Sequence, residues 1–228
     1  MPACLLFEPR GTLVEHEHRD QGLSLDRTLV EARSIRPQLA ANELQRIVET
    51  AFNQLNAMSA ETGREFHQDQ VSRRVLDMLA VEPDPAMVSR LSEAWAADCL
   101  STLVPVPGAA GIMRRLAGHY RLGLITNTHS PLATSKLIES LGLAGVFEIV
   151  TTSVGTGFRK PDSRIFEQAL GELEIIPAEA VYVGDSFERD YQGALAAGLS
   201  CYLIGSHARV PRTRQLRSVL DLAIHFSV

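Results

Sequence analysis

The sequence predicts an α/β fold: a doubly wound parallel sheet, Rossmann-like, with an inserted α-helical unit. Three observations carry this reading. Short apolar runs rich in β-formers recur at 4–7, 122–125, 148–152, 181–183 and 201–204. Between most of them apolar residues fall at helical spacing, and strands that alternate with helices imply a parallel sheet. Finally, the gap between residues 7 and 122 shows no strand-like run and carries helical stripes instead.

In chain order, the first strand (4–7) is followed by the helical stretch. Leu44, Ile47, Val48, Ala51, Phe52 and Leu55 form a one-faced stripe. Val71, Val75, Met78 and Leu79 make a second, and Val88, Leu91 and Trp95 a third, opened by Asp84 and Pro85. Two prolines and a glycine at 104–108 end the insert. The expected division is therefore a core of 1–14 and 104–228 and a small helical bundle of 15–103. Within the core, Ile112, Met113 and Leu116, then Leu137, Ile138 and Leu141, then Ile165, Phe166, Ala169, Leu170 and Leu173 mark the helices between strands.

Composition narrows the function classes. With 45% hydrophobic and 21% charged residues among 228, the chain reads as an ordinary globular protein. Lys plus Arg number 22 against 27 Asp plus Glu, a net charge of −5, which argues against a nucleic-acid binder. The basic tract His207, Arg209, Arg212, Arg214 and Arg217 is expected to be a solvated loop and helix face. No apolar run reaches membrane length. The N-terminal residues lack the apolar region of a signal peptide, and Cys4, Cys99 and Cys201 have no CxxC spacing, so a reducing, cytoplasmic location is expected. His16-Glu17-His18 alternates on an expected helix and makes no metal pair. Gly155-Thr156-Gly157 lacks a third glycine for a dinucleotide loop, and no serine sits in a Gly-x-Ser-x-Gly turn.

In an open parallel sheet, ligands bind beyond the carboxyl ends of the strands. The residues there are Glu8-Pro9-Arg10-Gly11-Thr12-Leu13, Thr126-Asn127-Thr128, the loop through Arg159 and Lys160, and Gly184-Asp185-Ser186 with Asp190 beyond. A hydroxyl, a lysine and several carboxylates at one edge suit a phosphate and a divalent cation. Lysine brings charge and hydroxyls bring hydrogen bonds, while Mg²⁺ takes carboxylates, a carbonyl and waters.

The order of these residues resembles the haloacid dehalogenase superfamily over nearly the whole chain: strand then acid-x-x-Gly-Thr-Leu, strand then Thr-Asn, Lys-Pro-Asp opening a helix, and strand then Gly-Asp-Ser with a later aspartate. The resemblance implies that the helical insert is a cap that closes over the site and excludes water. In phosphatase members the first motif is Asp-x-Asp-Gly-Thr or Val; the first aspartate attacks phosphorus and the second protonates the leaving group. Here Glu8 stands at the nucleophile's place and Arg10 at that of the acid/base. Carried over residue by residue, Lys160 supplies the phosphate charge at the catalytic centre. Gly11, Thr126 and Asn127 contact the substrate with it, and Glu8, Asp185 and Asp190 hold Mg²⁺.

Glutamate keeps the carboxylate but moves its oxygens by about 1.5 Å, and a misplacement of about 1 Å costs on the order of a hundredfold in rate. Arginine neither donates nor accepts a proton usefully, so general acid/base help of roughly 10² to 10⁴ is lost. At about 7 Å and an effective dielectric of about 20, its charge opposes Mg²⁺ by roughly 5 kcal/mol before screening. Alternatively, Arg10 folds onto Glu8 or Asp185 as an ion pair, or points into solvent. The expectation is a degenerate phosphohydrolase site, impaired or non-catalytic, that binds a small phosphorylated or anionic molecule. A protein partner or a second copy of the chain is left open. An active Mg²⁺-dependent phosphatase with Glu8 as nucleophile is the alternative. A 2-haloacid dehalogenase ranks third, because the family's dehalogenases keep the aspartate.

Overall fold

The computed structural model describes residues 2–16 and 25–226. Strand β1 (Cys4–Phe7) lies between β4 (Arg121–Thr126) and β6 (Ala180–Gly184), parallel to both. Beyond β4 comes β5 (Ile149–Thr152), and beyond β6 come β7 (Ser200–Ile204) and β8 (Gln215–Leu216), giving the order β5-β4-β1-β6-β7-β8. The central strands read as continuous apolar runs because helices cover both faces. Cys4 and Leu6 pack with Ile165, Phe166 and Leu170 of α8 (Ser163–Glu172). Leu5 and Phe7 point the other way, onto Ile112, Met113 and Leu116 of α5 (Ala109–Ala117).

The five expected strands are all present, but the stretch expected to hold none contains two. Residues of β2 (Val14–His16) and β3 (Leu103–Pro105) pair antiparallel where the chain leaves and re-enters the sheet unit. Three residues long and largely solvent-facing, they carry no apolar run to betray them. His16 thus ends a strand instead of lying on a helix; Glu17 and His18 fall outside the described residues. The basic tract is largely solvent-exposed as expected, although it includes the short strand β8 and three of its arginines have partners. Arg209 lies 4.3 Å from the Phe187 ring centre, Arg214 5.0 Å from that of Tyr202, and Arg217 pairs with Asp221.

Between β2 and β3, helices α1 (Asp26–Ile35), α2 (Ala41–Thr62), α3 (Gln68–Met78) and α4 (Pro85–Ser101) enclose an apolar core of their own, including Leu44, Val48, Val71, Val75 and Leu91. Met78, placed in the second stripe, instead faces solvent at 40% exposure because α3 ends there. Asp84 caps α4 by accepting from the Ala86 and Met87 amides, with Pro85 in the first turn. Helix α1 has no such cap from its own preceding residue, Leu25. Its open amides are satisfied from α4. The buried Asp98 carboxylate accepts from the amides of Arg27 (3.1 Å) and Thr28 (2.9 Å) and from Thr28 Oγ1 (2.8 Å). No helix among the described residues is long and apolar enough to cross a membrane.

Replacing Asp98 with alanine strands those buried donors, a cost of about 2–3 kcal/mol. The expected outcome is a lower urea midpoint at unchanged slope; an unaltered midpoint would show that α1 is held by packing alone.

Candidate active site at the carboxyl edge of the sheet

Each of the four loops delivers its polar side chain to one place. Glu8 follows β1, Thr126 ends β4, Lys160 precedes α8, and Asp190 lies on the turn that follows β6. Lys160 is buried at 2% exposure, and its Nζ donates to Glu8 Oε2 (2.6 Å), Asp190 Oδ1 (2.6 Å), Tyr182 OH (2.6 Å) and the Ile125 carbonyl (3.1 Å). The ammonium has three protons, so these acceptors use all of them. Its position is fixed from the backbone as well: Asn127 Oδ1 accepts from the Lys160 amide (2.8 Å), and Asn127 Nδ2 donates to the Lys160 carbonyl (3.1 Å). Asn127, expected against the substrate, here holds the lysine's main chain.

The Glu8 carboxylate is equally occupied. Its Oε1 accepts from Thr126 Oγ1 (2.8 Å) and from the Arg10 amide (3.2 Å), while Oε2 faces Lys160. The Arg10 guanidinium pairs with neither Glu8 nor Asp185 among the described residues, so the expected internal ion pair does not form. Lys160 already fills that place. Arg10 instead lies close enough to Cys99 of α4 that its charge opposes the burial that pushes that thiol up to about 12.

Asp190, expected to be a metal ligand, gives one of its oxygens to Lys160. Oδ1 faces Lys160 and Tyr182, and Oδ2 accepts from the Ser186 amide (2.9 Å). A Cβ on Gly184 would stand 2.5 Å from Asp190 Cγ, so glycine is what lets this carboxyl fold back onto the strand end. Asp185 lies against Gly11, whose φ is +73° and whose added Cβ would meet Asp185 Oδ2 at 2.1 Å. Gly11 therefore serves by having no side chain.

Electrostatics separates the carboxylates. Burial works against the charge of Lys160, but Glu8 and Asp190 outweigh it and raise its pKa. Burial would raise Asp190, and the charge of Lys160 brings it below the usual range instead. For Asp185, burial and then the charges of Asp190 and Glu8 push it up, and the opposing charge of Arg189 only partly offsets them. A further cation beside Asp185 would relieve that penalty. Among the described residues no three His, Cys, Asp or Glu side chains are gathered for a metal ion. Mg²⁺, however, is commonly bound through only one or two carboxylates plus waters. Glu8, Asp185 and Asp190 all carry oxygen donors of that chemistry, with Glu8 and Asp190 each also paired to Lys160.

Two groups of participants escaped the sequence reading. Tyr182 lies within an apolar strand and looks like packing, yet its buried hydroxyl touches Lys160, Asp190 and the Ile125 carbonyl (3.0 Å). Glu65, from the link between α2 and α3, is fully buried against Arg159, Ser153 and His129 of the sheet unit. A polar residue at a helix end gives no signal for such a contact.

Comparison with known proteins bears on the family and the fold. A family model described as haloacid dehalogenase-like hydrolase matches residues 11–198, beginning just past Glu8 and Arg10. A glyceraldehyde 3-phosphate phosphatase from Methanothermobacter thermautotrophicus is 32% identical over 180 residues, covering 77% of each chain. Haloacid dehalogenase-like hydrolase domain-containing protein 3 of Bos taurus is 38% identical over 84 residues, 37% of this chain and only 33% of that one. Among solved structures, a 2-haloacid dehalogenase from Pseudomonas syringae aligns over 100% of this chain and 99% of its own, with a TM-score of 0.69 at 20% identity. The magnesium-bound HAD-hydrolase YfnB from Bacillus subtilis aligns over 100% and 99% with a TM-score of 0.64 at 19% identity.

Replacing Lys160 with methionine leaves Glu8 and Asp190 buried without their cation, a loss of about 3–5 kcal/mol at neutral pH. The wild-type contribution from a depressed Asp190 is present above its unfolded pKa and disappears as pH falls through the lower folded value. In the variant the unpaired carboxyls take up protons sooner. Urea midpoints of the two proteins should therefore converge between about pH 7 and pH 3; a constant gap would contradict this account of the lysine.

Proposed function

The chain belongs to the haloacid dehalogenase-like hydrolase family, and from that premise we propose that it is an impaired phosphohydrolase that binds a small phosphorylated or anionic molecule with little turnover. The observation that carries this reading is the state of Glu8. Thr126 Oγ1, the Arg10 amide and Lys160 Nζ all donate to its carboxylate, and the side chain two residues on is a guanidinium, which has no proton to give a leaving group. Donors aimed at Glu8 draw electron density from the oxygen that would attack. An arriving anion takes over the Thr126 hydroxyl and a Lys160 proton by exchange with Glu8, so the same groups that hold the carboxylate form the cradle. A divalent cation held by Glu8 and Asp185 supplies positive charge to the ligand's oxygens when bound. The helical cap shields this edge from water and contributes the surfaces that select the ligand.

A second reading, a slow phosphatase in which Glu8 attacks, is favoured by the 32% identity to a glyceraldehyde 3-phosphate phosphatase and by the placement of Glu8 beside Lys160.

Hydrolysis of p-nitrophenyl phosphate and acetyl phosphate with Mg²⁺ separates the two. Wild type should turn over no faster than a folded Lys160→Ala control. A Glu8→Asp/Arg10→Asp variant should gain on the order of 10³-fold or more, since it restores both the reach and the proton donor. Wild-type turnover well above the control would make Glu8 a working nucleophile and the second reading correct.

A further inference from the structure

At the seam between cap and core, one carboxylate is surrounded as completely as a bound ligand. Glu65 Oε2 accepts from Ser153 Oγ (2.7 Å) and Arg159 Nε (3.2 Å). Its Oε1 accepts from the Phe66 amide (3.0 Å) and a terminal nitrogen of Arg159, and lies 3.2 Å from His129 Nδ1. That ring nitrogen is also 3.2 Å from the Phe66 carbonyl; with acceptors on both sides, it carries the ring proton. Arg159 meets the carboxylate with two nitrogens, the fork that matches its planar geometry. Phe66 stacks on His129, ring centres 4.1 Å apart, and covers the pocket.

The three receptor side chains all belong to the core and flank the candidate site. His129 follows the Thr126–Thr128 turn, Ser153 opens α7 (Ser153–Thr156), and Arg159 precedes Lys160. The cap adds main-chain bonds at the same place, Glu65 N to Gly157 O (2.9 Å) and Gln68 N to His129 O (2.8 Å). Burial alone would raise the Glu65 pKa; hydrogen bonds from His129, Arg159 and Ser153 bring it to about 2 instead, so the carboxylate is held ionised.

We infer that Arg159, His129 and Ser153 form a carboxylate-binding subsite on the core, that Glu65 of the cap is its tethered occupant, and that this occupancy holds the cap down beside the Lys160 loop. The ligand class is set by the receptor: a planar group with one negative charge and two hydrogen-bonding oxygens, hence a small carboxylate. A tethered group acts at an effective concentration of about millimolar or above, so free carboxylates enter only when the tether is cut short. The subsite is independent of whether Glu8 turns anything over.

Chemical rescue tests the inference. Glu65→Ala should expose the seam, with amides of 64–68 and of the 153–160 loop exchanging about tenfold or more faster while β1 is unchanged. By mass action, about 100 mM sodium acetate should restore protection in this variant. Sodium chloride at equal ionic strength should not, and neither salt should alter wild type. Arg159→Ala should loosen the same seam without rescue by acetate. Should Glu65→Ala not fold, Glu65→Gln keeps the shape without the charge and should still speed exchange at the seam. Loosening that acetate fails to reverse, or seam exchange as slow as wild type in either Glu65 variant, overturns the subsite.

Discussion

Three carboxylates and one ammonium share the space at the carboxyl ends of β1 and β6, and the ammonium decides how they are arranged. Lys160 is too deeply buried to remain charged without partners, so Glu8 and Asp190 are drawn to it from opposite sides. Everything nearby follows from that demand. Tyr182 and the Ile125 carbonyl complete its shell, Asn127 fixes its backbone, and Gly184 gives Asp190 the room to reach it. Asp185 is what remains, a carboxylate that Lys160 does not reach and whose charge Arg189 only partly offsets, pressed against Gly11. The glutamate at position 8 is thereby held by Lys160 on one oxygen and by Thr126 and the Arg10 amide on the other.

Strands buried on both faces were legible because they must be continuous apolar runs, and the helices because their stripes repeat at 3.6 residues. Strands β2, β3 and β8 were not, since two or three half-exposed residues create no pattern. The loop positions of Glu8, Thr126, Lys160 and Asp190 were likewise readable from the strand ends that precede them. What they do to one another was not. Whether Asp190 serves a metal or a lysine depends on which lone pairs are already taken, and Arg10 missed the expected ion pair because Lys160 occupies the place. Glu65 and Arg159 stand 94 residues apart, and no periodicity links a helix-end carboxylate to a loop guanidinium at that distance.

Cap and core are therefore joined in two chemically different ways. Strands β2 and β3 join them by main-chain pairing, which any sequence of similar shape maintains. The seam at Glu65 depends on particular side chains and on charge.

The placement of β1 has a consequence for synthesis. This strand is made before the other strands of its sheet, yet its two neighbours are β4 and β6, the latter ending at Gly184. At about 5–20 residues per second, the apolar segment Cys4–Phe7 waits roughly 10–35 s for its second partner. Helices α1 to α4, whose contacts with one another all lie within residues 26–101, are free to assemble in the meantime. Until then Cys4–Phe7 exposes apolar side chains that the finished sheet buries completely, the kind of surface that chaperones exist to cover.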